Sequence, residues 1–138
     1  MSSQRYEVRP VGWVESPLID RSAAPKQSDE GAPVARIIFE PQYFEAARDL
    51  RPGDEVLVLT WLHLGERAKL AVHPRGDLSR PITGVFSTRS PDRPNPIGLH
   101  RVRILGVEDA RVRVNNLEAI DGTPILDVKP VLDRDTER

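Results

Sequence analysis

The stretch LHRVRILGVEDARVRVNNL, residues 99–117, predicts two antiparallel strands joined by a tight turn. The first strand covers residues 99–107 and carries regularly placed apolar side chains. Asp109-Ala110 forms the turn, and residues 111–117 pair back as the second strand of a hairpin. Because side chains alternate between the faces of a strand, arginines spaced by two residues share a face. The arginines with this spacing are Arg101 and Arg103 in the first strand and Arg111 and Arg113 in the second.

The flanking sequence contains 13 Pro and 9 Gly, and the apolar runs between them are short, which favours strands over long helices. One short helix is predicted over residues 42–50, with Pro41 at the first helical position and Pro52-Gly53 at its end. The run 54–62 is apolar without alternation, so a strand buried on both faces is expected there. Further short strands are predicted at residues 8–14, 34–39, 69–73, 82–87 and 125–128.

About seven short strands separated by turns indicate a mainly all-β fold, either a sandwich or a closed antiparallel barrel, with one or two short helices. The 138 residues fit a single domain, 1–138, with a core over about 8–132 and a polar tail over 133–138. A doubly wound α/β fold is disfavoured, since only one or two helices fit and no Gly-x-Gly-x-x-Gly motif is present.

Composition excludes several classes of protein. The absence of cysteine excludes a disulfide framework and a thiolate metal site. The N-terminal residues lack the apolar core of a secretory signal, and no apolar run approaches the roughly 18 residues of a membrane helix. A cytoplasmic protein without membrane or metal partners is therefore expected.

The charge distribution is uneven although the net charge is only −1. Residues 86–113 contain six Arg and three acidic side chains, whereas residues 114–138 contain three basic and six acidic ones. Arg suits planar, bidentate contact with phosphate or carboxylate. However, Arg outnumbers Lys by 17 to 3 across the chain, so genomic base composition is an equally good explanation of the bias.

The most unusual segment is GVFSTRSPDRPNPIGL, residues 84–99. Its three prolines within six residues hold the backbone extended and rigid. Arg89, Ser90, Arg93 and Asn95 are thereby placed on a preorganised loop, and such loops commonly carry binding sites. Composition alone is also compatible with a purely structural loop.

Four ordered stretches resemble the motifs of the TrmO family (TsaA-like, YaeB-like) of tRNA methyltransferases. Residues 84–98 resemble its proline-rich hallmark, and GWVESP, residues 12–17, resembles its opening strand and turn. PKQ, residues 25–27, resembles its Pro-Arg-Gln loop, and LEAIDGTPILDVKP, residues 117–130, resembles its ending. Together these motifs span nearly the whole predicted core.

The resemblance implies an antiparallel β-barrel, a homodimer, S-adenosyl-L-methionine as cofactor, and N6-methylation of threonylcarbamoyladenosine beside the anticodon of tRNA. Leu64 departs from the family pattern, in which a polar residue follows the histidine, and Leu99 is placed only by register. Carried over residue by residue, the implied cofactor contacts are Pro25, Lys26, Gln27, His63, Leu64, Arg89, Leu99, Glu118, Ala119, Ile120 and Asp121.

The chemistry of the cofactor suggests roles for some of these residues. Arg89 is a candidate partner for its carboxylate. Glu118 and Asp121 are candidates for its ribose hydroxyls or its amine, and the backbone of 118–121 can contact the adenine edge. Positioning supplies much of the acceleration of an in-line methyl transfer, and no metal is required.

The catalytic residue stays open, because the acceptor nitrogen must lose a proton and several side chains can assist. Asp121, Asn95 and His63 are the candidates, although a lone histidine is more often structural and Asp121-Gly122 also fits a hairpin turn. Other possible proton acceptors are His73, His100 and Asp92. Candidate tRNA contacts are Arg93, Asn95, Arg101 and Arg103, with Arg111 and Arg113 beside them.

Two other functions remain open. One is methyl transfer to a small molecule on the same fold, and the other is a non-catalytic module that binds S-adenosylmethionine or a nucleotide. Some TrmO-like proteins carry an additional C-terminal domain, whereas this sequence stops soon after Lys129-Pro130. That difference and the near-neutral charge both weigh against tRNA more than against the cofactor.

Overall fold

The computed structural model describes residues 4–18 and 34–132. The predicted cofactor contacts Pro25, Lys26 and Gln27 and the predicted polar tail lie outside these residues. Within the described ranges the strands are β1 Gly12–Glu15, β2 Ala35–Phe39, β3 Glu55–Trp61, β4 Ala71–Val72, β5 Thr83–Gly84, β6 Ile97–Glu108, β7 Arg111–Val114 and β8 Pro124–Pro130. Short 3-10 helices cover Pro41–Ala47, Pro74–Gly76 and Val85–Ser87.

Six strands form one antiparallel sheet in the order β1-β2-β7-β6-β3-β8. The last strand in this order, β8, also pairs with the first, β1, where Gly12 lies opposite Ile125. The sheet therefore closes on itself as a barrel. β4 and β5 pair only with each other, outside this sheet. The predicted mainly β, antiparallel character is therefore confirmed.

The core lies inside the closed sheet, because alternate residues of each strand point inward. In β6 every second side chain from Gly98 to Ile104 is buried, whereas Arg101 and Arg103 face outward. β3 also alternates, so its outward face is half-buried and the predicted burial on both faces is wrong. The main buried side chains are Val14, Ile37, Val58, Val102, Ile104, Val112, Val114, Leu117 and Ile125.

Other predicted elements are present with different bounds. The helix expected over 42–50 is a 3-10 helix, Pro41–Ala47, with Pro41 in its first turn as predicted. The strands expected over 69–73 and 82–87 shrink to β4 and β5, because the chain turns into 3-10 helices at Pro74–Gly76 and Val85–Ser87. The hairpin predicted from residues 99–117 is confirmed as β6 and β7.

Candidate functional site

The segment between β3 and β6 builds most of a large cavity at one end of the closed sheet. This segment, residues 62–96, contains β4, β5 and the proline-rich loop. The stretch after β7 contributes Glu118, Ala119, Ile120 and Thr123, and β6 contributes His100. The cavity measures about 1120 Å³. Drug-sized ligands usually occupy pockets of roughly 300–1000 Å³, so a nucleoside-sized molecule has room here.

Six of the implied contact residues line this one cavity, namely His63, Leu64, Arg89, Glu118, Ala119 and Ile120. They come from three separate parts of the sequence, so only the fold brings them together. Leu99 is not among the lining residues, because it lies on the outward face of β6, next to the inward-facing His100. The cavity therefore offers a cation and a carboxylate on walls formed by distant segments.

Asp121 does not line the cavity. Its Oδ1 accepts a hydrogen bond from the backbone N–H of Ser16 at 2.9 Å. The backbone N–H of Asp121 donates to the carbonyl of Leu18, and that of Gly122, which has a φ of 83°, donates to the carbonyl of Val14. Asp121-Gly122 thus lies in a turn, and its carboxylate caps the chain after β1. Residues 117–120 before this turn form no strand, so it is not the hairpin turn that the sequence suggested.

Arg93 braces the proline-rich loop from within. Its guanidinium donates to the carbonyls of Val85, Thr88 and Ser90 at 2.9 to 3.0 Å. Charge-assisted bonds of this kind are roughly twice as strong as neutral ones. Because Arg93 is half-buried and engaged with the backbone, it fixes the loop that presents Arg89 to the cavity.

A second set of contacts joins residues 66–67 to residues 92–95 of the proline-rich loop. The backbone N–H of Glu66 donates to Oδ1 of Asp92 at 2.9 Å. Arg67 donates to the carbonyl of Pro94 and to Oδ1 of Asn95, and its guanidinium lies 5.1 Å from the ring centre of Trp61. Asn95 therefore contributes to loop packing, and it does not line the cavity.

Arg101 and Arg103 lie on the outer face of the sheet, away from the cavity. Arg101 donates to the carboxylate of Glu55 at 3.1 Å, and Arg103 lies 3.7 Å from the same carboxylate. The hydrogen bond and charge of Arg101 hold the pKa of Glu55 below its usual value. These two arginines are thus partly neutralised within the chain.

His100 is the buried polar residue that the candidate contacts omitted. Its side chain is 4% exposed, and Nε2 lies 2.8 Å from Oγ1 of Thr60. Nδ1 lies 3.9 Å from Oε1 of Glu118, too far for a hydrogen bond. The inward alternation of β6, with Val102 and Ile104 on the same face, was the signal that places this histidine inside.

The chain resembles known proteins in both sequence and fold. The family model described as the tRNA-methyltransferase O N-terminal domain matches residues 13–135. The chain belongs to the TrmO family.

Relatives of this TrmO-family chain include two archaeal proteins. It is 45% identical over 130 residues to a "Probable S-adenosyl-L-methionine-binding protein" of Methanothermobacter thermautotrophicus, covering 94% of this chain and 93% of the relative. It is 39% identical over 122 residues to an S-adenosyl-L-methionine-binding protein of Archaeoglobus fulgidus, covering 88% and 86%.

The fold matches a solved TrmO as well. The crystal structure of TrmO from Pseudomonas aeruginosa aligns with a TM-score of 0.74 and 30% identity over 94% of this chain. The alignment covers 57% of that chain, so this TrmO-family chain spans little more than half the length of its solved relative.

The described residues of this TrmO-family chain contain neither a candidate metal-binding group nor a helix that could span a membrane. Residues 4–18 and 34–132 contain no group of three or more His, Asp or Glu side chains arranged to hold a metal ion. None of the helices in the same ranges has the length and apolar character needed to cross a bilayer.

The buried state of His100 predicts a specific loss of stability in acid. Burial, and then the nearby charge of Arg89, lower the pKa of His100 to about 4 from an ordinary value near 6.5. Between these two pH values the unfolded chain binds a proton that the folded chain does not. The free energy of unfolding is therefore expected to fall by about 1.4 kcal/mol per pH unit as pH drops from 6.5 to 4, about 3 kcal/mol in total.

Denaturant unfolding of the wild type and of His100→Asn from pH 7 to pH 4 checks this expectation. Carboxylates such as Glu55 and Asp77 titrate in both proteins, so the difference between the two curves isolates the histidine. The wild type is expected to lose stability more steeply than the variant below pH 6.5. Parallel curves would contradict the assignment.

Proposed function

We propose that this chain is an S-adenosylmethionine-dependent methyltransferase that modifies N6 of threonylcarbamoyladenosine beside the anticodon of tRNA. Membership of the TrmO family and the names of its archaeal relatives support the cofactor and the reaction class. The observation that carries the proposal is the meeting of Arg89 with Glu118, Ala119 and Ile120 in one cavity. A tRNA substrate also places the reaction in the cytoplasm.

The residues of the cavity suit the functional groups of S-adenosylmethionine. The guanidinium of Arg89 can bind its carboxylate in a bidentate manner. The carboxylate of Glu118 can accept hydrogen bonds from its ribose hydroxyls or amine, and the backbone of 118–120 can contact its adenine. When bound, the cofactor supplies a methyl group on a positively charged sulfur. The cavity residues bind and orient the reactants, which accounts for much of the acceleration in such a transfer.

Proton removal from the acceptor nitrogen falls to a side chain of the cavity wall. Of the candidates Asp121, Asn95 and His63, only His63 lines the cavity. Asp92 and His73 line it too, but Oδ1 of Asp92 holds the backbone of Glu66 and Nδ1 of His73 lies 2.8 Å from the carbonyl of Arg80. We therefore assign this step to His63 within the proposal.

A second copy of the chain is proposed to cover the mouth of the cavity. Phe86 is 83% exposed and Leu78 is 80% exposed, and both line the cavity. Ile82, which is also exposed, lines the cavity too. A cluster of large exposed apolar side chains commonly marks an interaction surface. A homodimer would remove these side chains from water and enclose the ligand.

Methyl transfer to a small molecule is the second candidate function. It is favoured by the engagement of Arg93, Asn95, Arg101 and Arg103 in contacts within the chain. These residues were the candidate tRNA contacts, and the net charge of −1 gives no general attraction to phosphate. The alignment with the archaeal relatives covers most of both chains, but it does not distinguish between the two substrates.

Nucleoside mass spectrometry of treated tRNA tests the proposal. Bulk tRNA from a strain without the host enzyme is incubated with the chain and S-adenosylmethionine, and Arg89→Ala serves as control. We expect the methylated form of threonylcarbamoyladenosine with the wild type and almost none with the variant. Calorimetric cofactor binding without tRNA methylation would favour a small-molecule substrate or a non-catalytic module that binds S-adenosylmethionine. Absent cofactor binding would favour a non-catalytic module that binds a nucleotide.

A further inference from the structure

Two buried polar side chains, Thr60 and His100, are in contact behind the cavity wall to which His100 contributes. Thr60 on β3 is fully buried, and its Oγ1 lies 2.8 Å from Nε2 of His100 on β6. Gly98, two residues before His100 on β6, lies opposite Thr60 in the strand register. A Cβ at position 98 would lie 2.4 Å from the threonine Oγ1 and 2.8 Å from the histidine Nε2. Glycine at this position therefore leaves the space that the Thr–His contact occupies.

The contact between Thr60 and His100 is compatible with either tautomer of the ring, because a hydroxyl can donate or accept. If Nε2 carried the proton, the bare lone pair of Nδ1 would face the carboxylate of Glu118 at 3.9 Å. The threonine O–H would then donate to no other group of residues 4–18 and 34–132. If the threonine O–H donates to Nε2, the proton lies on Nδ1 and faces the carboxylate. In the second arrangement the threonine O–H donates to Nε2, and the Nδ1–H faces the carboxylate of Glu118. This arrangement therefore has the lower energy.

We propose that His100 is a positioning residue that holds the Glu118 carboxylate in the cavity through its Nδ1–H, with Thr60 fixing the ring tautomer. Part of this proposal, the effect on S-adenosylmethionine binding, rests on the proposed function. Nδ1 is buried and makes no hydrogen bond within the described residues, so its N–H is available to the carboxylate. Such contacts are often long in a free protein and shorten when a ligand is bound.

A neutral ring suits this role better than a charged one. The cavity already holds the positive charge of Arg89, which disfavours a second cation at His100. A neutral imidazole still donates one directed hydrogen bond and adds no positive charge beside Glu118. His100 lines the cavity, but its Nδ1 is buried, so this nitrogen acts through Glu118.

Nitrogen NMR of the protein labelled with ¹⁵N-histidine tests the tautomer without any ligand. The chain has three histidines, and His100→Asn identifies the signal of His100 by its loss. We expect Nδ1 to carry the proton in the wild type and in Thr60→Ser, which keeps the hydroxyl. Thr60→Val should give a mixture of tautomers, and Glu118→Gln should shift the Nδ1 signal. A proton on Nε2 in the wild type, or no shift in Glu118→Gln, would overturn the proposal.

Calorimetric titration with S-adenosylmethionine tests the functional part. Loss of a directed hydrogen bond to a charged group corresponds to about a tenfold weaker affinity, which we expect for Thr60→Val. The matched variant Thr60→Ser should remain within about twofold of the wild type. Wild-type affinity in Thr60→Val despite an altered tautomer would remove the positioning role. Failure of the wild type to bind the cofactor would instead refute the proposed function, and the NMR result would still decide the tautomer and its contact.

Discussion

Replacing Arg89 by alanine is expected to weaken the affinity for S-adenosylmethionine about 30- to 100-fold. Arg89 lines the same cavity as Glu118 and offers a planar cation for the cofactor carboxylate. Hydrogen bonds to charged groups contribute about 1.5–3 kcal/mol each, which sets the size of the effect. Isothermal titration calorimetry at constant salt measures it directly.

Arg101→Ala is the matched control, because it removes the same side chain from the outer face of the sheet, where it contacts Glu55. Its affinity should stay within about twofold of the wild type. The Arg89 variant should also raise the pKa of His100 above about 4, since the charge of Arg89 is the second cause of its low value. Equal affinity in the Arg89 variant and the wild type would remove Arg89 from the cofactor site.

Gly65→Ala is expected to separate two walls of the cavity. A Cβ at position 65 would lie 2.3 Å from the carbonyl oxygen of Pro91, which is backbone and cannot rotate away. Both residues line the cavity, so the proline-rich loop must move to relieve the overlap. We expect the free energy of unfolding to fall by about 2 kcal/mol. Methyl transfer should fall about 100-fold, since a displacement near 1 Å can have that effect on rate.

Gly84→Ala provides the control for this substitution. A Cβ at Gly84 meets no atom within 4 Å, and the residue has a φ of −57°, which any side chain tolerates. Its stability should remain within about 0.5 kcal/mol of the wild type. Denaturant unfolding and single-turnover methylation of both variants make the comparison. Similar stability and rate for Gly65→Ala and Gly84→Ala would show that the loop accommodates the added carbon without moving.

The regular part of the fold was predictable because its signal is local. The hairpin of β6 and β7 follows from alternation and a tight turn, both readable within 99–117. The segment 62–96 was not predictable in the same way. Its strands are only two residues long, and its shape depends on contacts such as Glu66 with Asp92 and Arg67 with Pro94. No periodic pattern encodes pairs that lie more than 25 residues apart in the chain.

The candidate site was predictable only in part for a related reason. The motifs identified Arg89 and Glu118, which line one cavity. The same motifs could not distinguish Arg93, whose side chain faces the backbone of its own loop, from Arg89. His100 was overlooked as a contact because the alternation of β6 places it inside the sheet but does not identify its partner Thr60, which lies on another strand.

The pairing of β1 with β8 has a consequence for how the chain acquires its structure. These strands close the sheet, and the turn after Ile120 ties back to Ser16 over 105 positions of sequence. During synthesis β1 leaves the ribosome long before β8. The edge of β1 that pairs with β8 therefore stays unpaired until residue 125 has left the ribosome. Folding that waits for such distant partners is slow, in the range of milliseconds to seconds, and exposes an edge that can capture another chain. Joining β8 to β1 by circular permutation would make that contact local and shorten the vulnerable period.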